Sequence, residues 1–214
     1  MPPNILITNL FNTSNYGEML SLRTLAKLLK GSMTVACPYS MIEEERLPQR
    51  IKCAVKRSGS LSSIMFYPRI LLNMFFLVRE IRRCDVIVDV GGDTISDSNG
   101  LIYTLAHCSS LILAHLFLKP VIVLPQTIEP FRHRLSKSVA KLALNNCLAV
   151  FVREPETFRY LKSQGIKVDR VMYDQAFYSD PFWKNSPNDA NRITIGVNCS
   201  KYMYDADTSC YPEL

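Results

Sequence analysis

Short β-branched runs alternate with longer helical patterns along most of this chain, and that alternation constrains its fold more than any other feature. A chain of this kind is expected to build βαβ units around a parallel sheet. The clearest strand is Asp85-Val-Ile-Val-Asp-Val90, almost continuously apolar, as in a sheet covered on both faces. Residues 4–8, 33–37, 119–124, 148–152 and 168–173 read as its companions. Helical spacing predicts helices over 18–30, 61–83, 101–118, 132–146 and 155–164. Met19, Leu22, Leu25, Ala26 and Leu29 would form the core face of the first. Gly31 ends that helix, Pro155 suits the first turn of the last, and Pro68 predicts a kink in the second. In the helix over 132–146, Leu135, Val139 and Leu142 are expected to point inward, opposite a basic stripe of Arg134, Lys137 and Lys141.

The fold class that follows is α/β: a Rossmann-like parallel sheet with helices on both faces, over residues 1–176. Residues 38–60 are rich in Pro, Glu, Arg and Ser and read as a mobile loop with short helical pieces. Prolines, serines and Asn/Asp pairs mark 177–191 as a linker. Arg192-Ile-Thr-Ile-Gly-Val-Asn198 then reads as the opening strand of a second α/β domain over 192–214, cut short by truncation or naturally brief.

The chain has 214 residues, 48% of them hydrophobic and 21% charged, which suits a globular protein and not a disordered one. Its net charge of +6 fits an acidic small ligand, an anionic membrane surface or nucleic acid about equally, or simply a solvated surface. The seven cysteines form no CxxC pair and several lie in apolar runs, so buried thiols in a reducing cytosol are expected, with no metal site. No secretory signal is visible at the start. The apolar runs 64–78 and 101–118 are interrupted by polar residues and read as core or interface helices.

Ligands of an open parallel sheet bind beyond the carboxyl ends of its strands, which selects five loops. Asn12-Thr-Ser-Asn-Tyr-Gly17 leads into a helix, where Asn15 and Gly17 either shape an anion cradle or form a turn with Asn15 as cap. Gly91-Gly92-Asp93, with Asp97 beyond, offers a close backbone approach and carboxylates for sugar hydroxyls, or a strand exit with a capping aspartate. Gln126-Thr-Ile-Glu-Pro130 brings donors and acceptors to a strand end. Arg153 could hold a carboxylate or phosphate in a fork, or pair within the rim, and Asp174 could bind or cap. His107 and His115 lie on an apolar helix and read as core or interface residues.

Asn15-Tyr-Gly-Glu18, Asp89-Val-Gly-Gly-Asp93, Lys119-Pro…Leu124-Pro-Gln-Thr-Ile-Glu-Pro-Phe131, Val152-Arg-Glu154 with Tyr160-Leu…Gly165-Ile166, and Asp174-Gln-Ala-Phe177 occur in that order. The series resembles the polysaccharide pyruvyl transferase family. The resemblance implies the N-terminal half of a GT-B-like enzyme that moves a pyruvyl group from phosphoenolpyruvate to a sugar of an exopolysaccharide or other glycan, with no further cofactor. Arg153 would hold the donor anion, Asn15 and Gly17 would shape the first loop, and Asp93 would face the acceptor. The general acid would be a histidine of the C-terminal domain. Glu18, Glu129 and Gln175 stand where the family commonly has aspartate, glycine and proline, and Glu129 puts a negative charge near the anion site.

The expected partners are a small-molecule donor and a glycan acceptor in the cytoplasm, with no nucleic acid. A lipid-linked acceptor would bring peripheral contact with a membrane. A GT-B-like glycosyltransferase using a nucleotide sugar, and a non-catalytic truncated binding domain, are the competing readings.

Overall fold

The computed structural model describes residues 2–10, 15–36, 47–49, 51–54, 66–92, 95–98 and 100–179, with side chains from residue 72 onward in the 66–92 stretch. The chain divides after Asp180 into Met1–Asp180, which holds every element below, and Pro181–Leu214. The expected second-domain strand at 192–198 therefore lies outside the described residues.

Seven strands form one sheet: β1 (Asn4–Thr8), β2 (Ser32–Val35), β3 (Ile51–Cys53), β4 (Val86–Asp89), β5 (Val121–Gln126), β6 (Ala149–Val152) and β7 (Arg170–Val171). Their order is β3-β2-β1-β4-β5-β6-β7, and every neighbouring pair is parallel. The helices are α1 (Tyr16–Leu28), α2 (Phe66–Arg83), α3 (Leu101–Leu116), α4 (Arg134–Asn145) and α5 (Pro155–Ser163), with a 3-10 helix at Gln175–Tyr178. The chain runs β1→β2 one way across the sheet and β4→β5→β6 the other, so crossovers of one hand place their helices on opposite faces. Helices consequently cover both faces, with α2, α3 and α4 packed in succession on one of them. This is the Rossmann-like α/β arrangement that the alternating pattern predicts.

Consecutive residues Ile5, Leu6 and Ile7 are all buried, as are Ile87, Val88, Asp89 and Val90, because both faces of the central strands are covered. Leu77 and Ile81 of α2 and Leu111 of α3 are fully enclosed in this core. Truncating any of the three to alanine costs about 2–5 kcal/mol.

Three local differences from the sequence expectation have physical causes. The stretch read as a loop over 38–60 contains β3, whose Ile51–Cys53 pairs with Met33–Val35 at the sheet edge. Pro68 falls within the first turn of α2, where a missing N–H leaves no intrahelical bond unmade. In α4 the inward face is Ser136, Ala140, Ala143 and Leu144, whereas Leu135 and Leu142 are 53% and 56% exposed. Small side chains let α4 approach α3 closely, and that approach sets the rotation of the helix about its axis.

Candidate functional site at the β1–β4 switch point

Strand order reverses between β1 and β4, so the crevice for a ligand opens above their carboxyl ends. Beneath it lies a buried polar cluster. Thr8 and Asp89 are register partners on adjacent strands, and the Thr8 hydroxyl donates to Asp89 Oδ1 at 3.2 Å. Asn9 Nδ2 donates to the same oxygen at 2.6 Å and also approaches the His107 carbonyl at 3.3 Å. Asn9 holds a left-handed backbone, φ 57°, a conformation that asparagine tolerates better than most residues. Its Oδ1 lies 3.2 Å from His107 Nδ1, so the imidazole is the donor and carries its proton on Nδ1.

Gln126 Nε2 completes the cluster at 3.4 Å from Asp89 Oδ2. A bulge in β5 makes that contact possible. Val123 pairs with Val150 and Gln126 with Val152, so three steps along β5 match two along β6. Pro125 lies inside the irregularity, where its missing N–H is tolerated. The extra residue reverses the alternation and turns Gln126 to the face that carries Asp89. Gln126 therefore ends a strand and does not begin a loop, and its Oε1 is buried without a partner.

Burial pushes the Asp89 carboxyl up to about 7, against the hydrogen bonds from Asn9, Thr8 and Gln126 that favour its ionised form. Burial also pushes His107 down to about 4. His107 is thus neutral across the physiological range, whereas Asp89 titrates in the middle of it.

Above the cluster a second network ties the rim loops together. Arg153 Nη2 donates to the Gly92 carbonyl at 2.9 Å and to Thr127 Oγ1 at 2.5 Å, Nη1 to Asp174 Oδ2 at 2.9 Å, and Nε to Thr127 Oγ1 at 3.2 Å. The Thr127 hydroxyl in turn donates to Glu154 Oε1 at 2.7 Å. One guanidinium therefore joins the loops after β4, β5, β6 and β7. Among the described residues this leaves one Nη1–H of Arg153 uncommitted. Asp174 also caps the 3-10 helix through Ala176 N.

Gly91 is buried, whereas a Cβ on Gly92 would meet nothing within 4 Å. Asp93, the third residue of that motif, lies outside the described residues. Asp97 accepts the backbone N–H groups of Arg132 and His133 at 2.8–3.0 Å. It caps the approach to α4, a helix far along the chain. Burial raises its pKa, but the Arg132 and His133 N–H groups outweigh burial and hold the carboxyl below the usual range. Glu129 is exposed and accepts from Ser96 Oγ at 3.3 Å.

At the start of α1, the Asn15 side chain accepts from Gly17 N and Glu18 N, and its Nδ2 reaches Glu18 Oε1 at 3.2 Å. Asn15 is therefore an N-cap, and its side chain occupies the place an anion would take there. His115 Nε2 lies 2.7 Å from the Ala143 carbonyl and links α3 to α4.

The structure thus brings Gly92, Arg153 and Asp174 into one rim, with Gln126 just below it and Asn15 and Gly17 at the head of α1. Sequence reading missed Asn9, Asp89 and His107 as a unit. The signals available were a lone aspartate ending an apolar strand and a histidine inside an apolar helix.

Fold and site together define a doubly wound α/β protein with a polar crevice at its switch point. Residues 15–211 match the polysaccharide pyruvyl transferase family model, and the chain belongs to that family. No curated protein matches the chain. Among solved structures it is similar to UGT73P12 of Glycyrrhiza uralensis, complexed with glycyrrhetinic acid 3-O-monoglucuronide. That match has 11% identity and a TM-score of 0.46, and covers 83% of this chain and 50% of that one. A UDP-galactose 4-epimerase matches at 11% identity and a TM-score of 0.34, over 56% of this chain and 54% of its own. The chain thus spans about half the length of either.

Proposed function

We propose that this chain contributes the N-terminal, GT-B-like half of a cytoplasmic transferase that moves a pyruvyl group from phosphoenolpyruvate to a glycan sugar. The observation that carries this reading is the family match over residues 15–211. The reaction is balanced without an oxidant or cofactor. Two sugar hydroxyl oxygens bond to C2 of the enolpyruvyl group and the C2–O bond to phosphate breaks. One hydroxyl proton goes to the methylene carbon, and the other leaves with inorganic phosphate.

The donor carries a phosphate and a carboxylate, and the rim geometry is compatible with holding one of them. Asp174 occupies Arg153 Nη1 at 2.9 Å, so a donor carboxylate would exchange with a carboxylate already there. Gly91 and Gly92 would let the backbone come close to the donor, Asn15 and Gly17 would border it at α1, and Gln126 would brace the floor. Asp93 is assigned to the acceptor sugar. The general acid is assigned to a histidine of the C-terminal half, because none of this chain's three histidines suits the role: His107 is enclosed, His115 holds a backbone carbonyl, and His133 opens α4 with its N–H held by Asp97.

The test supplies the protein in its complete natural form with phosphoenolpyruvate and a panel of exopolysaccharide or lipid-linked glycans. Phosphate release accompanied by a new ketal methyl signal in the NMR spectrum is expected. Turnover with a nucleotide sugar and none with phosphoenolpyruvate would establish the glycosyltransferase reading. Glycan binding without turnover of either donor would establish a binding domain.

A further inference from the structure

The outer surface of the α2–α3–α4 layer presents the least expected chemistry of the described residues. From Leu101 to Leu118 there is no charged residue, yet α3 is not enclosed. Ile102 and Leu116 are exposed, and Leu118, just past its end, is 92% exposed. Lys137 and Lys141 of α4 reach toward Gln164 beyond α5, which places Leu135 and Leu142 on the opposite flank, beside α3. On the other side, α2 exposes Phe75 next to Arg79, Arg82 and Arg83, and these residues with Val78 line a groove of about 470 Å³. Arg134 adds a further exposed cation at the start of α4. The one carboxylate on the three helices, Glu80, is tied to Arg79 at 2.9 Å and Arg83 at 3.8 Å. The layer is therefore an apolar stripe bordered by cations. No helix among the described residues is long and apolar enough to cross a membrane.

We propose that the α2–α3–α4 face docks on the surface of an anionic lipid bilayer. Leu116, Leu118, Leu135 and Leu142 would enter the acyl boundary, with the α2 arginines and Arg134 at the level of the headgroup phosphates. Charge decides between occupants. Self-association through this face would bring the cations of α2 and α4 onto those of a second copy, whereas an anionic leaflet meets them with the opposite sign. The cations supply an attraction that salt screens, and the exposed leucines add the apolar contribution that outlasts salt. The face lies on the helix layer and not at the carboxyl edge of the sheet, so the crevice stays open to donor and acceptor. The inference is independent of the transfer reaction, because bilayer binding is read without turnover.

The experiment floats the full chain with vesicles of phosphatidylglycerol and phosphatidylcholine, and with vesicles of phosphatidylcholine alone. Binding at least tenfold stronger to the anionic vesicles, weakened by salt, is expected. Arg79→Glu with Arg82→Glu should abolish the preference. Leu118→Glu, at an exposed position, should lower binding about tenfold with an unchanged circular dichroism spectrum, and soluble glycerol phosphate should fail to compete. No flotation, equal binding to both lipids, or full competition by glycerol phosphate overturns the proposal. So does a fall in sedimenting mass on Leu118→Glu, which would assign the face to a second copy.

Discussion

Asn9 stands between two buried titratable groups, donating to Asp89 Oδ1 at 2.6 Å while its own Oδ1 accepts from His107 Nδ1 at 3.2 Å. The folded chain holds both neighbours away from their charged forms, and the consequences for stability have opposite signs. Asp89 is raised from 3.8 to about 7, so its contribution is present below pH 4 and lost as pH rises through 7. His107 is lowered from 6.5 to about 4, so its contribution is present above pH 6.5 and lost as pH falls through 4. Between those limits the two oppose each other.

Removing one partner therefore exposes the other. Asp89→Asn leaves His107 alone, and stability should rise by about 2–3 kcal/mol between pH 4 and 6.5. His107→Gln leaves Asp89 alone, and stability should fall by a similar amount from pH 4 to 7. Urea denaturation across that range checks the pair, and slopes of equal sign in the two variants would refute the assignment.

Arg153 joins Gly92, Thr127 and Asp174, so Arg153→Ala should loosen the rim as well as remove a cation. A loss of about 1–3 kcal/mol in stability is expected from the unmade charged hydrogen bonds. In the complete protein the donor KM should rise or activity disappear. Arg153→Lys should restore little, because an ammonium lacks the planar fork that serves several loops at once. Unaltered donor kinetics in Arg153→Ala would place the anion elsewhere.

Two glycines separate structural need from access to a ligand. Gly31 has φ +149°, and a Cβ there would clash with the Pro3 carbonyl oxygen. Gly31→Ala should lower stability by about 1–3 kcal/mol. A Cβ on Gly92 meets open space, so Gly92→Ala should leave the melting temperature within about 2 °C of the parent. A fall in donor affinity at that constant stability would mark close approach of the ligand, and wild-type affinity would show that none occurs.

Asp97 reaches across 35 residues to the N–H groups of Arg132 and His133. Asp97→Ala should cost about 1 kcal/mol, as loss of a helix cap does. Its carboxyl is held below the usual range, so this stabilisation is present above pH 4 and lost as pH falls further. The difference in unfolding free energy between parent and variant should therefore shrink at pH 2–3.

Local chemistry made the parallel strands β1, β4, β5 and β6 legible, because continuous apolar runs and helical spacing act within a few residues. The rim position of Gly92, Arg153 and Asp174 was legible by the same logic, since each follows a readable strand. β3 was not legible, because three residues at an edge are too few to carry a period. Only the tertiary structure decided which face of α4 is buried, since that depends on how closely Ala140 and Ala143 let it approach α3. It also decided that Gln126 turns toward Asp89, through one extra residue at Pro125, and that Asn9 meets a histidine 98 positions away. Periodicity is a property of neighbours along the chain, whereas burial, bulge parity and the partners of a buried carboxylate are set by segments that come together only on folding.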